Sequence, residues 1–255
     1  MEVAVLGLGE AGGRIASDLV AAGCAVRGWD PVRAPEGVPR AGSDVEAVAG
    51  ADAVLSINSA AVALEEARRV AGGLSGETVY ADLNTSSPGL KRELAEALPV
   101  PFADVALMGT VPRSGLATPA LASGAGAERF AELFRPLGMP VEVVGAEPGE
   151  AAGLKLLRSV FAKGIAAAAL ESLSAARAAG AEHRVRAEIA SVIGEPLLER
   201  LLTGSHAHAA RRADEMRAAA DYLRELGVEP RVAAAAAEIL AELDSDEAQG
   251  SENAG

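Results

Sequence analysis

The segment Gly7-Leu8-Gly9-Glu10-Ala11-Gly12 constrains what this chain can fold into more than any other. It follows directly on the apolar run 3–6 and opens an Ala-rich stretch near 11–22 with helical spacing of its apolar residues. The pattern G-x-G-x-x-G alone is weak. With 28 Gly in 255 residues, chance supplies on the order of 0.3 matches in a chain of this length. Its place between a strand and a helix adds force, because bare backbone and the N–H groups of a helix start can there receive a diphosphate. The alternative is a plain tight turn. The motif predicts a strand, a turn and a helix, with Gly7, Leu8, Gly9, Glu10, Ala11 and Gly12 against a dinucleotide.

The same alternation continues along the chain. Short β-branched runs at 3–6, 25–29, 53–57, 78–81, 102–106 and 141–144 are separated by helical stretches near 11–22, 60–71, 88–98 and 128–134. The expectation is an α/β fold over residues 1–147, a Rossmann-type doubly wound and mostly parallel sheet of six strands. From about Pro148 strand signals stop, and Ala, Leu, Arg and Glu dominate to Leu243, broken near Gly180, Gly194, Gly204 and Gly227. Residues 148–243 are therefore expected to form an all-α C-terminal domain for substrate or dimerisation. Its first helix can run from 149 to about 179, with Leu154, Leu157, Phe161, Ile165 and Ala168 on one stripe. Residues 244–255, rich in Ser, Gly and acid, read as a flexible acidic tail.

Charge narrows the partners. Lys and Arg number 23 against 36 Asp and Glu, a net charge of −13 that opposes nucleic acid and anionic membranes. The longest uncharged run, 114–127, has 14 residues and contains Pro and Gly, short of the roughly 18 apolar residues of a membrane span. Met1 is followed at once by Glu2 and a strand-like run, without the pattern of a signal peptide, and Cys24 is the single cysteine. A cytoplasmic protein acting on a small molecule is expected.

Two positions bear on the nucleotide. Asp30 closes the second apolar run 23 residues after Gly7, close to the roughly 20-residue spacing at which an acid meets the ribose hydroxyls of NAD. Arg33, three residues on, can accept the 2′-phosphate of NADP, stack on adenine, or remain a solvated loop charge. NAD is expected and NADP is kept open. Asn58 and Ser59, just past a strand, fall on the carboxyl edge where open α/β sheets bind ligands, although simple loop capping would also explain them.

The order of the remaining motifs resembles the β-hydroxyacid dehydrogenase and 6-phosphogluconate dehydrogenase superfamily across nearly the whole chain. Residues 7–12 look like its GLGxMG loop, and Asp82-Leu83-Asn84-Thr85-Ser86-Ser87-Pro88 looks like its D-x-S-T-x-x-P segment beside the nicotinamide, which brings in Thr85. Asp104-Val105-Ala106-Leu107-Met108-Gly109-Thr110 is similar to the substrate loop DAPVSGG and is followed by Gly115-Leu116-Ala117-Thr118. Gly149-Glu150-Ala151-Ala152-Gly153-Leu154-Lys155 resembles the start of the interdomain helix that carries the catalytic lysine. The resemblance implies NAD(P) as cofactor, Met108, Gly109, Thr110 and Ser159 at the substrate, and a homodimer joined through helical domains. Met108 replaces a serine of the family, Thr110 a glycine and Ser159 an asparagine, which argues against the usual 2-methyl-3-hydroxy acids. The run 155–164, with His208-Ala209-Ala210-Arg211-Arg212-Ala213-Asp214-Glu215-Met216, looks like a branch with its own helical C-terminal domain.

Hydride transfer at an alcohol needs a group to take or return the hydroxyl proton. Lys155 is the candidate, with Lys163 and Arg158 as sources of positive charge to disfavour its ammonium and Ser159, four residues on, sharing its helical face. His206 and His208, two apart, do not face together on a helix, and no metal site is expected. His208, Arg212 and Glu215, at i, i+4 and i+7, share a face that would receive a substrate carboxylate or phosphonate, or would be a surface salt-bridge ladder. The expected activity is hydride transfer between nicotinamide and a small hydroxy acid, aldehyde or keto compound. The alternatives are an imine reductase on the same scaffold and a nucleotide sensor without turnover.

Overall fold

The computed structural model describes the backbone of residues 1–252 and the side chains of residues 1–243. The elements are β1 (Glu2–Leu6), α1 (Glu10–Ala21), β2 (Ala25–Trp29), α2 (Asp44–Val48), β3 (Ala53–Ser56), α3 (Ala60–Val70), β4 (Val79–Asp82), α4 (Pro88–Ala97), β5 (Phe102–Leu107), α5 (Val111–Ser114), β6 (Ala120–Ser123), α6 (Ala127–Phe134) and β7 (Val141–Gly145). They are followed by α7 (Glu150–Ala178), α8 (Glu182–Ile193), α9 (Glu195–His206), α10 (Ala209–Glu225) and α11 (Arg231–Glu252). The chain divides into two compact units, Met1–Lys155 and Leu156–Gly255. The division falls inside α7, eight residues beyond the expected boundary at 147.

In the first unit the strand order is β2-β1-β3-β4-β5-β6-β7. β1 to β5 are parallel, β6 pairs antiparallel with β5, and β7 is parallel to β6. Beyond Glu2, strands β1, β3, β4 and β5 are buried on both faces because helices cover both faces. One layer packs Ile15, Ala16 and Leu19 of α1 and Phe130 and Phe134 of α6 against Val3, Val5, Leu55 and Val105. The other packs Val48, Ala63, Ala67, Val70 and Leu94 against Ala4, Leu6, Val54 and Tyr80. This is the expected doubly wound, mostly parallel sheet with one strand more than the six read from the sequence. The added strand, β6, has the sequence Ala-Leu-Ala-Ser, whose residues carry little strand propensity, and it is held by pairing on both sides.

The second unit is helical, as expected. Its core is built largely of alanine: Ala213, Ala219 and Ala220 of α10 and Ala233, Ala236 and Ala237 of α11 close on Leu156, Met216 and Leu240. Gly204 does not end a helix but lies inside α9, where a Cβ would stand 2.5 Å from the Arg212 guanidinium, and the break comes at Ala207 and His208. The stripe read along α7 faces outward at Leu154, Leu157 and Phe161, the last 73 % exposed, while Leu156 and Ala167 make the core contact. Helix α11 continues to Glu252 where a flexible tail was expected, in keeping with the helix propensity of its Ala and Glu residues. Residues 253–255 of that tail lie outside the described residues.

Candidate functional site

The glycine loop sits at the carboxyl end of β1 and leads into α1. Gly7 has φ +95°, and a Cβ on it would stand 2.6 Å from the Ile57 carbonyl oxygen and 2.8 Å from Asn58 Cα. A Cβ on Gly12 would stand 1.9 Å from the Gly7 carbonyl oxygen. Only glycine permits that closeness of loop, helix and β3 end. Gly9 differs: a Cβ there would meet nothing within 4 Å, and no side chain caps the start of α1. The loop thus leaves open space before uncapped helix N–H groups, a cradle that suits a diphosphate.

Asp30 stands where the spacing placed it, just past β2, but its carboxylate also braces the loop. Oδ2 accepts from Leu8 N at 2.8 Å, and Oδ1 accepts from Val32 N and Arg33 N, each at 2.8 Å. Burial works to raise its pKa, but these backbone donors and the Arg33 charge outweigh burial and hold the carboxyl below its ordinary range. Arg33 is exposed, and Arg40, which the sequence reading missed, donates to the Asp30 carbonyl at 2.9 Å.

The ends of β3 and β4 carry a polar chain. Asn58 Oδ1 accepts from Ser59 N at 2.6 Å and from Asn84 Nδ2 at 2.9 Å, and Asn84 Nδ2 also reaches Asp82 Oδ1 at 2.5 Å. Asn58 Nδ2 donates to Glu66 of α3. On the far side of Asp82 lies Lys91 of α4, 1 % exposed, donating to Asp82 Oδ2 at 2.6 Å and to the Asp82 carbonyl at 2.8 Å, and standing 3.1 Å from Asp104 Oδ1. Burial alone would lower the Lys91 pKa, but the two carboxylates more than offset it and raise it.

Asp104 joins this chain to α7. Its Oδ2 accepts from Gly149 N at 3.1 Å and Ala152 N at 2.9 Å, while Ser123 Oγ accepts from Ala151 N at 3.1 Å. A buried carboxylate at a helix start satisfies N–H groups that have no partner within the helix and sits favourably in its dipole. One turn on, Lys155 Nζ donates to Thr85 Oγ1 at 2.8 Å. Lys155 and Thr85 line a narrow cavity with Asn84, Ser86, Asp104 and Ala152. Ser86 Oγ is buried there without a hydrogen-bond partner. The predicted Lys155 and Thr85 are thus brought together, and Asn84, Ser86 and Asp104 join them. Those three lay inside quoted motifs but were not assigned a role.

Met108 lies elsewhere. It lines an open groove of roughly 640 Å³ with Pro119, Leu121, Arg135 and Met139 at the β6 and β7 side of the sheet, apart from the Lys155 cavity. Gly109 and Thr110 are exposed beyond it, and the loop that follows is tied to α1 by Asp18 Oδ2, which accepts from Leu116 N at 2.8 Å.

In the second unit, Ser159 donates to Glu215 Oε1 at 2.5 Å, and Lys163 donates to the same oxygen at 2.9 Å. The Ser159 hydroxyl and the Lys163 charge, expected to serve Lys155, are therefore engaged by Glu215. His208 is exposed at the N-cap of α10, before its first turn, so the expected face shared by His208, Arg212 and Glu215 does not include it. Arg212 donates to Ser205 Oγ at 2.9 Å and its pKa is lowered, chiefly by burial.

Comparison with known proteins agrees with this architecture. A family model described as a domain of unknown function (DUF1932) matches residues 176–243. An uncharacterized 28.5 kDa protein of Methanothermus fervidus is 30% identical over 173 residues, covering 66% of each chain, so the match spans just under two thirds of that protein. The conserved protein MTH1747, described as of unknown function with structural similarity to 3-hydroxyacid dehydrogenases, is 31% identical with a TM-score of 0.75, over 98% of this chain and 99% of that one. The 3-hydroxyisobutyrate dehydrogenase of Mycobacterium tuberculosis, solved with L-serine, has the same fold at 23% identity and TM-score 0.79, over 96% and 94% of the two chains. With its glycine loop, its lysine at the start of a long helix and its DUF1932 region, the chain belongs to the family of MTH1747, which is structurally similar to 3-hydroxyacid dehydrogenases.

Proposed function

We propose that this protein is an NAD(P)-dependent oxidoreductase that moves a hydride between nicotinamide and a small hydroxy acid, aldehyde or keto compound, with Lys155 as general acid and base. The observation that carries the reading is Lys155 Nζ held 2.8 Å from Thr85 Oγ1 at a cavity on the carboxyl edge of the sheet, on the same unit as the glycine loop. The residues that would hold the nucleotide are Gly7 to Gly12 at the diphosphate, Asp30 at the adenine ribose and Asn58, Asn84 and Thr85 toward the nicotinamide. Bound NADH supplies the hydride. During reduction Lys155 gives a proton to the oxygen that becomes the alcohol and takes one back in the reverse direction. Thr85, which accepts from the ammonium, fixes where that proton points, and Ser86 Oγ is available to a substrate oxygen.

Asp30 favours NAD, because its carboxylate would repel a 2′-phosphate. The outward apolar positions Leu154, Leu157 and Phe161, together with α8, which buries no residue, support a homodimer. Cys24 as single cysteine supports a cytoplasmic location. The test is NADH or NADPH oxidation with a panel of small aldehydes, keto acids and imines. Turnover of a carbonyl compound is expected. Turnover of imines alone would move the protein to the reductase reading, and nucleotide binding without turnover of any panel member would favour a sensor. Light scattering is expected to give a dimer, and a monomer at micromolar concentration would remove that part.

A further inference from the structure

Glu66 is a carboxyl buried in the middle of α3, 3 % exposed, where an apolar residue would ordinarily face the sheet. Its side chain accepts from Asn58 Nδ2. Asn58 is the residue whose Cα would lie 2.8 Å from a Cβ on Gly7, so the glycine loop rests on the segment that Glu66 holds. The groups around Glu66 are mostly anionic. From α2 comes Asp44, ion-paired with Arg69 one turn along α3 from Glu66, and from β4 comes Asp82, whose partner Lys91 lies on its other side. Tyr80 of β4 also senses the Glu66 charge, and Arg69 is the one cation among the groups that act on Glu66 itself.

A second anion brought to the glycine loop would add to this negative field. Like charges disfavour ionisation, so anion binding and ionisation of Glu66 oppose each other and are reciprocally linked. We propose that Glu66 is a proton-linked positioning residue of the nucleotide site: acting through Asn58, it takes up a proton when a dinucleotide diphosphate occupies the glycine loop. The neutral acid keeps Asn58 in place through its remaining carbonyl oxygen while removing a charge that opposes the ligand. Burial, and then the charge of Asp44, raise its pKa to about 7, so the unliganded protein holds a mixture of the two forms near neutrality. The proposal rests on the nucleotide reading of the loop.

NADH is the probe, because its diphosphate does not titrate near neutrality. Titration calorimetry at pH 7.5 in two buffers of different ionisation enthalpy reads the protons exchanged on binding. Net uptake is expected for the wild type, with affinity falling roughly three- to ten-fold between pH 6 and pH 9, since each tenfold step corresponds to one unit of pKa. Glu66→Gln, which mimics the neutral acid, is expected to bind NADH with no uptake from this site and a flat profile. Zero exchange or release in the wild type, or uptake preserved in Glu66→Gln, would overturn the proposal. The wild-type arm decides alone if that variant does not fold. Absence of NADH binding at every pH would overturn the nucleotide reading as well, whereas binding without uptake overturns only the role of Glu66.

Discussion

Lys91 Nζ stands 3.1 Å from Asp104 Oδ1, with both side chains withdrawn from water, and the other oxygen of Asp104 caps the helix that carries Lys155. Asp82 is the second carboxylate on the same ammonium, 2.6 Å away and also buried. Two acids and one base therefore share a dry site between β4, β5 and α4.

Lys91→Met removes the only cation of that group and keeps its apolar stem. Breaking a buried ion pair by deleting one partner typically costs about 3 to 5 kcal/mol, because the remaining charge has no solvent. The expected outcome is a loss of that size in urea unfolding. A loss below about 1 kcal/mol would mean that water reaches the carboxylates.

Lys155→Met removes the proposed acid while leaving the glycine loop untouched. General acid and base catalysis contributes about 100- to 10,000-fold, so turnover is expected to fall within that range while NADH affinity holds. Once a substrate is found, a variant keeping more than about a tenth of wild-type kcat would assign proton transfer to another group.

Asp30 is expected to make NADH bind more tightly than NADPH. Trp29, the one tryptophan, precedes Asp30 and reports binding by energy transfer to the reduced nicotinamide. Asp30→Asn should narrow the preference. It should also loosen the loop, since the charged acceptor of three backbone N–H groups becomes neutral. Tighter binding of NADPH in the wild type would give the decision to Arg33 and Arg40.

Glu66 also sets a pH dependence of stability. Its pKa is raised in the fold, so the folded chain binds this proton more tightly than the unfolded one, and stability declines as pH rises from the ordinary glutamate value to about 7. The integrated loss is on the order of 3 kcal/mol. Glu66→Gln lacks that decline. Melting temperatures of variant and wild type should differ least near pH 4.5 and favour the variant most at pH 8. A difference independent of pH would show that Glu66 does not titrate as described.

The sheet was legible where strands carry Val, Leu or an aromatic residue, because burial of the strand writes a short apolar run. β6 was not, since Ala120 and Ser123 are strand residues only through their neighbours β5 and β7. Of the site, the glycine loop, Asp30, Thr85 and Lys155 were readable because each is tied to a motif at a fixed distance along the chain. Lys91 was not. In Leu90-Lys91-Arg92-Glu93 it reads as one more charge on a solvated helix face, and its burial follows from Asp82 and Asp104 arriving from two strands. His208 misled for the opposite reason: helical spacing assigned it to a turn that starts one residue later.

Asp104 fixes not only where α7 begins but its angular phase. Because Oδ2 engages the N–H groups of Gly149 and Ala152, the first turn cannot rotate without giving up both bonds. At about 3.6 residues per turn, one residue inserted between Ala152 and Lys155 would swing the lysine by roughly 100° and carry its ammonium off Thr85. A complete extra turn, about four residues, would restore the direction but displace it by about 6 Å along the axis. The spacing between cap and lysine is therefore a quantity that tolerates substitution far better than it tolerates a change in length.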